Sequence, residues 1–233
     1  EVARWILKEI NDDFKVTLDK LTEGEELSLN QDEKPEISKE TAQKVSETLS
    51  FDKEFMTSMS MTITKTVGAL KKNPKLGKLF KKLKVLRDKD HYFNSHIGLL
   101  CNISCGIANA MNWTTEATLN KLVFVCYMHD ITLVDFPDIS KYQTIDELED
   151  DKDKFTKEEI LAWKKHPEDI AMLIETLPDA PAEAETIILQ HHERPDQTGF
   201  PNRIPNQRII PMSAVFIVSH HLVSFIIANG KWS

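Results

Sequence analysis

All eight histidines of this chain lie at or after His91, and most of them end an apolar helical run or sit inside one. LVFVCYM runs directly into His129, Ile187, Ile188 and Leu189 lead to His191, and Val215 to Ala228 contains His220 and His221. A chain that buries these runs must carry His96, the pair His129–Asp130, His166 and the pair His191–His192 inward with them. A single histidine in such a place is ordinarily a satisfied core residue. Six or seven at separate helix ends, next to an aspartate that follows an apolar run, cost several kcal/mol when buried without partners. The fold has to supply those partners.

From about Ile37 onward apolar residues recur at helical spacing, and alternating strand patterns are nearly absent, so the expected class is all-α. Residues 1–22, with Trp5, Ile6, Ile10 and Phe14, suit a helix or mixed segment, and Thr22 to Glu40, with Gly24 and Pro35, a linker. We therefore expect a small N-terminal region of unknown role over 1–65, its boundary falling between 65 and 90, and a helical domain over 66–233. Within that domain the helices expected are Asn94 to Met111, a Thr114-capped helix to Met128, and one opened by the capping box Thr156–Glu159. Two more run from Pro181 to His191 and from Pro211 to a stop at Asn229–Gly230. Pro167 suits the first turn of a new helix and so puts His166 at a junction. Ile139 to Lys154 is charged and aperiodic and is expected to be a surface loop.

Composition removes several function classes. Seven glycines, with no GxGxxG or Walker loop, argue against a Rossmann or P-loop nucleotide site. A net charge of −8 argues against a partner that is a nucleic-acid polymer. The basic residues between Lys71 and Arg87 share their stretch with Leu76, Leu79, Phe80, Leu83 and Leu86 at helical spacing, the pattern of a solvated helix face. No stretch reaches the roughly 18 consecutive apolar residues of a membrane span, so no membrane partner is expected. No signal-peptide order is visible, and Cys101, Cys105 and Cys126 sit in apolar runs, which predicts buried free thiols and a cytoplasmic location.

Neutral imidazole and carboxylate together are the ligands that iron, manganese, zinc and nickel accept, and helical bundles build dinuclear sites from side chains on facing helices. The histidine set therefore points to an all-α bundle around a dinuclear metal site.

The motifs carry a resemblance as well. His129–Asp130 after LVFVCYM, KKHPEDIA around His166 and HHERPDQTGFPNRIP from His191 resemble, in that order, the HD-GYP branch of the HD-domain phosphohydrolases, over roughly residues 90–229. The resemblance implies an all-α fold, two divalent ions, most commonly iron or manganese, and hydrolysis of the bacterial second messenger cyclic di-GMP or a related cyclic nucleotide. It assigns His96, His129 and Asp130 to one metal and His166, His191 and His192 to the second. It implies that Asp130 would bridge both and act with a metal-bridging hydroxide. It places a further ligand at His221 when aligned on Ile210–Pro211, or at His220 by ungapped counting. Arg194 is a candidate for contact with substrate.

The sequence departs from the HD-GYP pattern in places that bear on rate. Thr132 and Leu133 stand where Gly-Lys is usual, which removes a cation that would face the substrate phosphate. Phe200 replaces the motif tyrosine, Gln197 a glycine, and Tyr92 stands where members with three metals carry Glu. Gly199–Phe200–Pro201 suits a tight turn, with Phe200 as a core anchor or a functional side chain. Glu193 and Arg194 suit pairing with each other or with neighbours, and Asp196 a turn cap. Three functions stay open at this point: a weakly active phosphodiesterase, a degenerate member that senses nucleotide or a protein partner, and an oxygen-activating di-iron enzyme.

Overall fold

In the computed structural model, residues 53–72, 76, 79, 82 and 91–229 are described. Seven α-helices occur among them, with no strand: α1 (Lys53–Lys72), α2 (His91–Ala110), α3 (Glu116–Met128), α4 (Ile145–Asp150), α5 (Lys157–Glu175), α6 (Ala184–Gln190) and α7 (Pro211–Asn229). The expectation of an all-α bundle holds. None of these helices is long and apolar enough to cross a membrane.

The bundle is arranged around α3. Every residue from Leu122 to Met128 is buried, so the second half of this helix meets protein on all sides. Its neighbours are α1, α2 and α6, while α7 lies along α2 and α6, and α5 packs on α6. Ile63, Val67 and Leu70 of α1 join Leu100, Leu122, Val125, Ile187, Ile188 and Phe216 in the main core. A second, smaller apolar cluster is made by Leu133, Ile139, Leu148, Trp163 and Phe200.

Helix starts follow their caps. Thr115, one residue beyond the expected Thr114, begins α3 by accepting from the Thr118 N–H at 3.2 Å. The Thr156–Glu159 box opens α5 as expected, with both reciprocal bonds formed. An equivalent box, Thr144–Glu147, opens α4 inside the stretch expected to be loop. Its Leu148 is buried in the second cluster, and that anchor gives a six-residue helix a reason to form among so many charges.

The helix break expected at Pro167 does not occur, because α5 runs through it. Trp163, His166, Pro167, Ile170, Ala171 and Ile174 are all buried along this helix, and that packing outweighs the loss of one backbone bond at proline. The readings made for residues 1–52, and most of the basic stretch from Lys71 to Arg87, fall outside the described residues. Of that stretch, Leu76 is buried, Leu79 packs against the core, and Lys82 forms an exposed ion pair with Asp135.

Candidate metal centre

Helix ends deliver most of the candidate ligands. His129 is the C-cap of α3 and Asp130 begins the 3-10 turn Ile131–Leu133. His191 is the C-cap of α6, with His192 next in the chain. His96, His166 and His220 come from within α2, α5 and α7. All six histidine side chains are at most 2 % exposed and Asp130 is 6 % exposed, so this polar set is fully enclosed.

The seven residues form two groups that share one member. Ligand atoms of His96, His129, Asp130 and His220 lie within 4.8 Å of one another, and so do those of Asp130, His166, His191 and His192. The two oxygens of Asp130 divide between them. Oδ2 is 3.3 Å from His129 Nε2 and Oδ1 is 3.4 Å from His166 Nε2.

Backbone carbonyls set the tautomers. Nδ1 of His129 faces the Cys126 carbonyl at 2.9 Å, that of His166 the Trp163 carbonyl at 2.5 Å, and that of His191 the Ile188 carbonyl at 2.5 Å. His192 Nδ1 faces the Gln143 carbonyl at 3.0 Å. A carbonyl can only accept, so each Nδ1 holds a proton, and the three of these rings that burial keeps neutral, His166, His191 and His192, turn a bare Nε2 lone pair inward. His166 Nε2 and His191 Nε2 are nonetheless 3.1 Å apart, and His96 Nε2 and His129 Nε2 are 3.2 Å apart. Between the two neutral rings His166 and His191 there is then no proton to share, and two lone pairs at that distance repel. His220 Nε2, buried in the first group, has no hydrogen-bond partner among the described residues. A cation in each group answers both facts, and the donor set suits one: imidazole nitrogens plus one carboxylate.

The electrostatics agree with neutral ligands. Burial drives His96 down to about 3 and pushes His166, His191, His192 and His220 below the ordinary imidazole value. His129 differs: burial would lower it, but the adjacent Asp130 carboxylate outweighs that and raises it. Burial likewise opposes ionisation of Asp130, and the charge and hydrogen bond of His129 hold it well below the usual carboxylate range.

This order of histidines around one aspartate is where comparison with known proteins becomes decisive. A family model described as HD domain matches residues 25–221. The chain belongs to the HD-domain family. No curated protein and no solved structure matches it. HD domains hold divalent metals, and the buried groups of this one are compatible with that.

One expected ligand needs correcting. His221 is exposed, whereas His220 has its ring 5.0 Å from that of His96 and 4.9 Å from that of His129. The inward face of α7 runs Ser213, Phe216, His220 and Val223 at steps of three and four, and His221 lies a further 100° round the helix. Helical spacing counted inward from Phe216 was the available signal. The side chains of His91 and Tyr92 lie outside the described residues.

The stretch after His192 folds back over this HD-domain site. Gly199 is required there: a Cβ would run into the backbone of His192, Glu193 and Arg194. With glycine, the Phe200 N–H reaches the His192 carbonyl at 3.1 Å, and the Phe200 ring stacks on His192 at 4.5 Å and 14°. The Glu193 carboxylate pairs with neighbours and not with the Arg194 guanidinium. It is fully buried and accepts from the N–H groups of Asn202 at 2.7 Å and Ile204 at 3.1 Å, which ties the loop down. Asp196 caps the turn through Thr198. Arg194 Nη1 donates to the Glu193 carbonyl at 3.2 Å. Leu133 is 1 % exposed and belongs to the second apolar cluster. Cys101, Cys105 and Cys126 are buried thiols outside any disulfide.

Proposed function

We propose that this HD domain is a metal-dependent phosphodiesterase of the HD-GYP branch, weakly active on cyclic di-GMP or a related cyclic nucleotide. Its cofactors in this reading are two divalent ions, iron or manganese. The observation that carries the reading is Asp130, whose two oxygens turn toward two separate histidine groups. The HHERPDQTGFP motif supports the branch, and the buried thiols outside any disulfide support a cytoplasmic setting.

When bound, such a pair of ions supplies positive charge for a phosphodiester and lowers the pKa of water. The chain's own residues do the remainder. Asp130 holds the two groups in register, and the carbonyls of Cys126, Trp163, Ile188 and Gln143 keep four imidazoles with Nε2 inward. Phe200 and Trp163 pack on the His192 side and keep water from it. Arg194 is the residue for a substrate phosphate: its Nη2 is buried and has no hydrogen-bond partner among the described residues, and a phosphate oxygen would satisfy it.

Protein purified anaerobically and supplied with Mn(II) or Fe(II) is expected to hold two ions per chain and to open cyclic di-GMP to a linear dinucleotide, followed by chromatography. Metal content near zero or three sinks the reading. A second reading, a metal-holding sensor of nucleotide or protein without hydrolysis, is favoured by Leu133 lying in the core. Two bound ions with cyclic di-GMP retained but unconverted would select it.

A further inference from the structure

Pro167 follows His166 directly and is buried with it in α5. In a regular helix the N–H of residue 167 would bond the carbonyl of residue 163. Proline has no N–H, so the Trp163 carbonyl is left without that donor. His166 takes its place, with Nδ1 2.5 Å from the Trp163 oxygen. The ring's lone pair is then at Nε2, the atom 3.1 Å from His191 Nε2 and 3.4 Å from Asp130 Oδ1.

Two other histidines show what the proline imitates. His129 and His191 also bond the carbonyl three residues back, at Cys126 and Ile188, and each caps the C-terminus of a helix. There the last carbonyls lack the i+4 donor of a regular helix and are open to a side chain, although the Ile188 oxygen also accepts the His191 N–H at 3.3 Å. His166 needs the same carbonyl in the middle of a helix. We infer that Pro167 is a positioning residue: it creates a local helix end inside α5, frees the Trp163 carbonyl to hold His166 Nδ1–H, and so aims the Nε2 lone pair into the second ligand group. Its consequence for metal affinity rests on the metal-centre reading above, whereas its consequence for the tautomer does not.

Pro167→Ala and Pro167→Gly both restore the N–H and set it in competition with His166 for the Trp163 carbonyl. A proline with no part in the site would give an alanine variant at least as stable as the parent, with unchanged metal binding, because alanine is the better helix residue. The positioning role gives opposite signs. The melting temperature of Pro167→Ala holds or rises, while one of two Co(II) ions, titrated into chelated protein and followed by visible absorption, binds about 10–100-fold more weakly. Long-range 1H–15N correlation spectra of the metal-free protein supply the second readout, the His166 signal being assigned by its loss in His166→Gln. The parent is expected to show Nδ1–H at His166, and both variants a shift toward Nε2–H. An Nε2–H ring in the parent overturns the inference, and so do variants that keep the parent tautomer and both Co(II) affinities. A parent that shows Nδ1–H but binds no Co(II) sinks the metal-centre reading and leaves the positioning role standing.

Discussion

A carboxylate offers two oxygens to two neighbours, and Asp130 uses both, toward His129 on one side and His166 on the other. Every other member of the set is an imidazole with a single inward nitrogen. Asp130→Ala is therefore expected to lose both ions, whereas His166→Ala weakens chiefly one and His221→Ala keeps both, since its side chain is exposed. Elemental analysis after anaerobic purification checks all three. The aspartate change should also cost about 3–5 kcal/mol of stability, because the buried His129 partner loses its counter-charge. Full occupancy in Asp130→Ala would show the two groups to be independent of it.

Single elements matter through what they hold in place. α5 carries Trp163 into the second apolar cluster and His166 into the ligand set, and its first turn depends on the Thr156–Glu159 box. Thr156→Ala removes the acceptor for the Glu159 N–H, at an expected cost of about 1 kcal/mol. A lower urea midpoint with an unchanged slope is the result that fits, and metal content should stay at the parent level, because the first turn is remote from His166. The loop after α6 works differently. It has few regular bonds of its own and is held by the buried Glu193 carboxylate and by the Phe200 ring on His192.

Taken together, the molecule puts a polar centre between two apolar masses, with Phe216 of the main core packed on His129, His191 and His220, and Trp163 and Phe200 packed against His192. That arrangement makes metal-free protein sensitive to acid. His96, His166, His191, His192 and His220 are all lowered from 6.5 in the folded state, so below that value the unfolded chain binds protons that the folded one refuses. Only His129 shifts the other way. Stability should be full above about pH 6.5 and fall as pH drops, by about 1.4 kcal/mol per unit for each net proton taken up on unfolding. With metal bound, the same lone pairs are engaged and the decline should begin at lower pH. Melting temperatures of chelated and loaded protein between pH 8 and 5 would test this, and coincident curves would count against a metal in the cluster.

The amino-acid order was enough for the fold class, for α2, α3 and α7 within a few residues, for the start of α5, and for six of the seven residues now found together. Apolar spacing, caps and the placement of His129–Asp130 and His191–His192 at helix ends are local properties, and local properties survive in a string of letters. It missed α4, whose capping box was masked by charge, and it broke α5 at Pro167, because the burial that carries the helix through comes from elsewhere in the chain. It did not separate His220 from His221, since a 100° step on α7 has no meaning until α2 and α6 define which face is inward. Nor did it show that Leu133 belongs to a core or that carbonyls hold four imidazoles by Nδ1. Those are relations between residues tens of positions apart, and they exist only once packing against distant elements has chosen which face of each helix is buried.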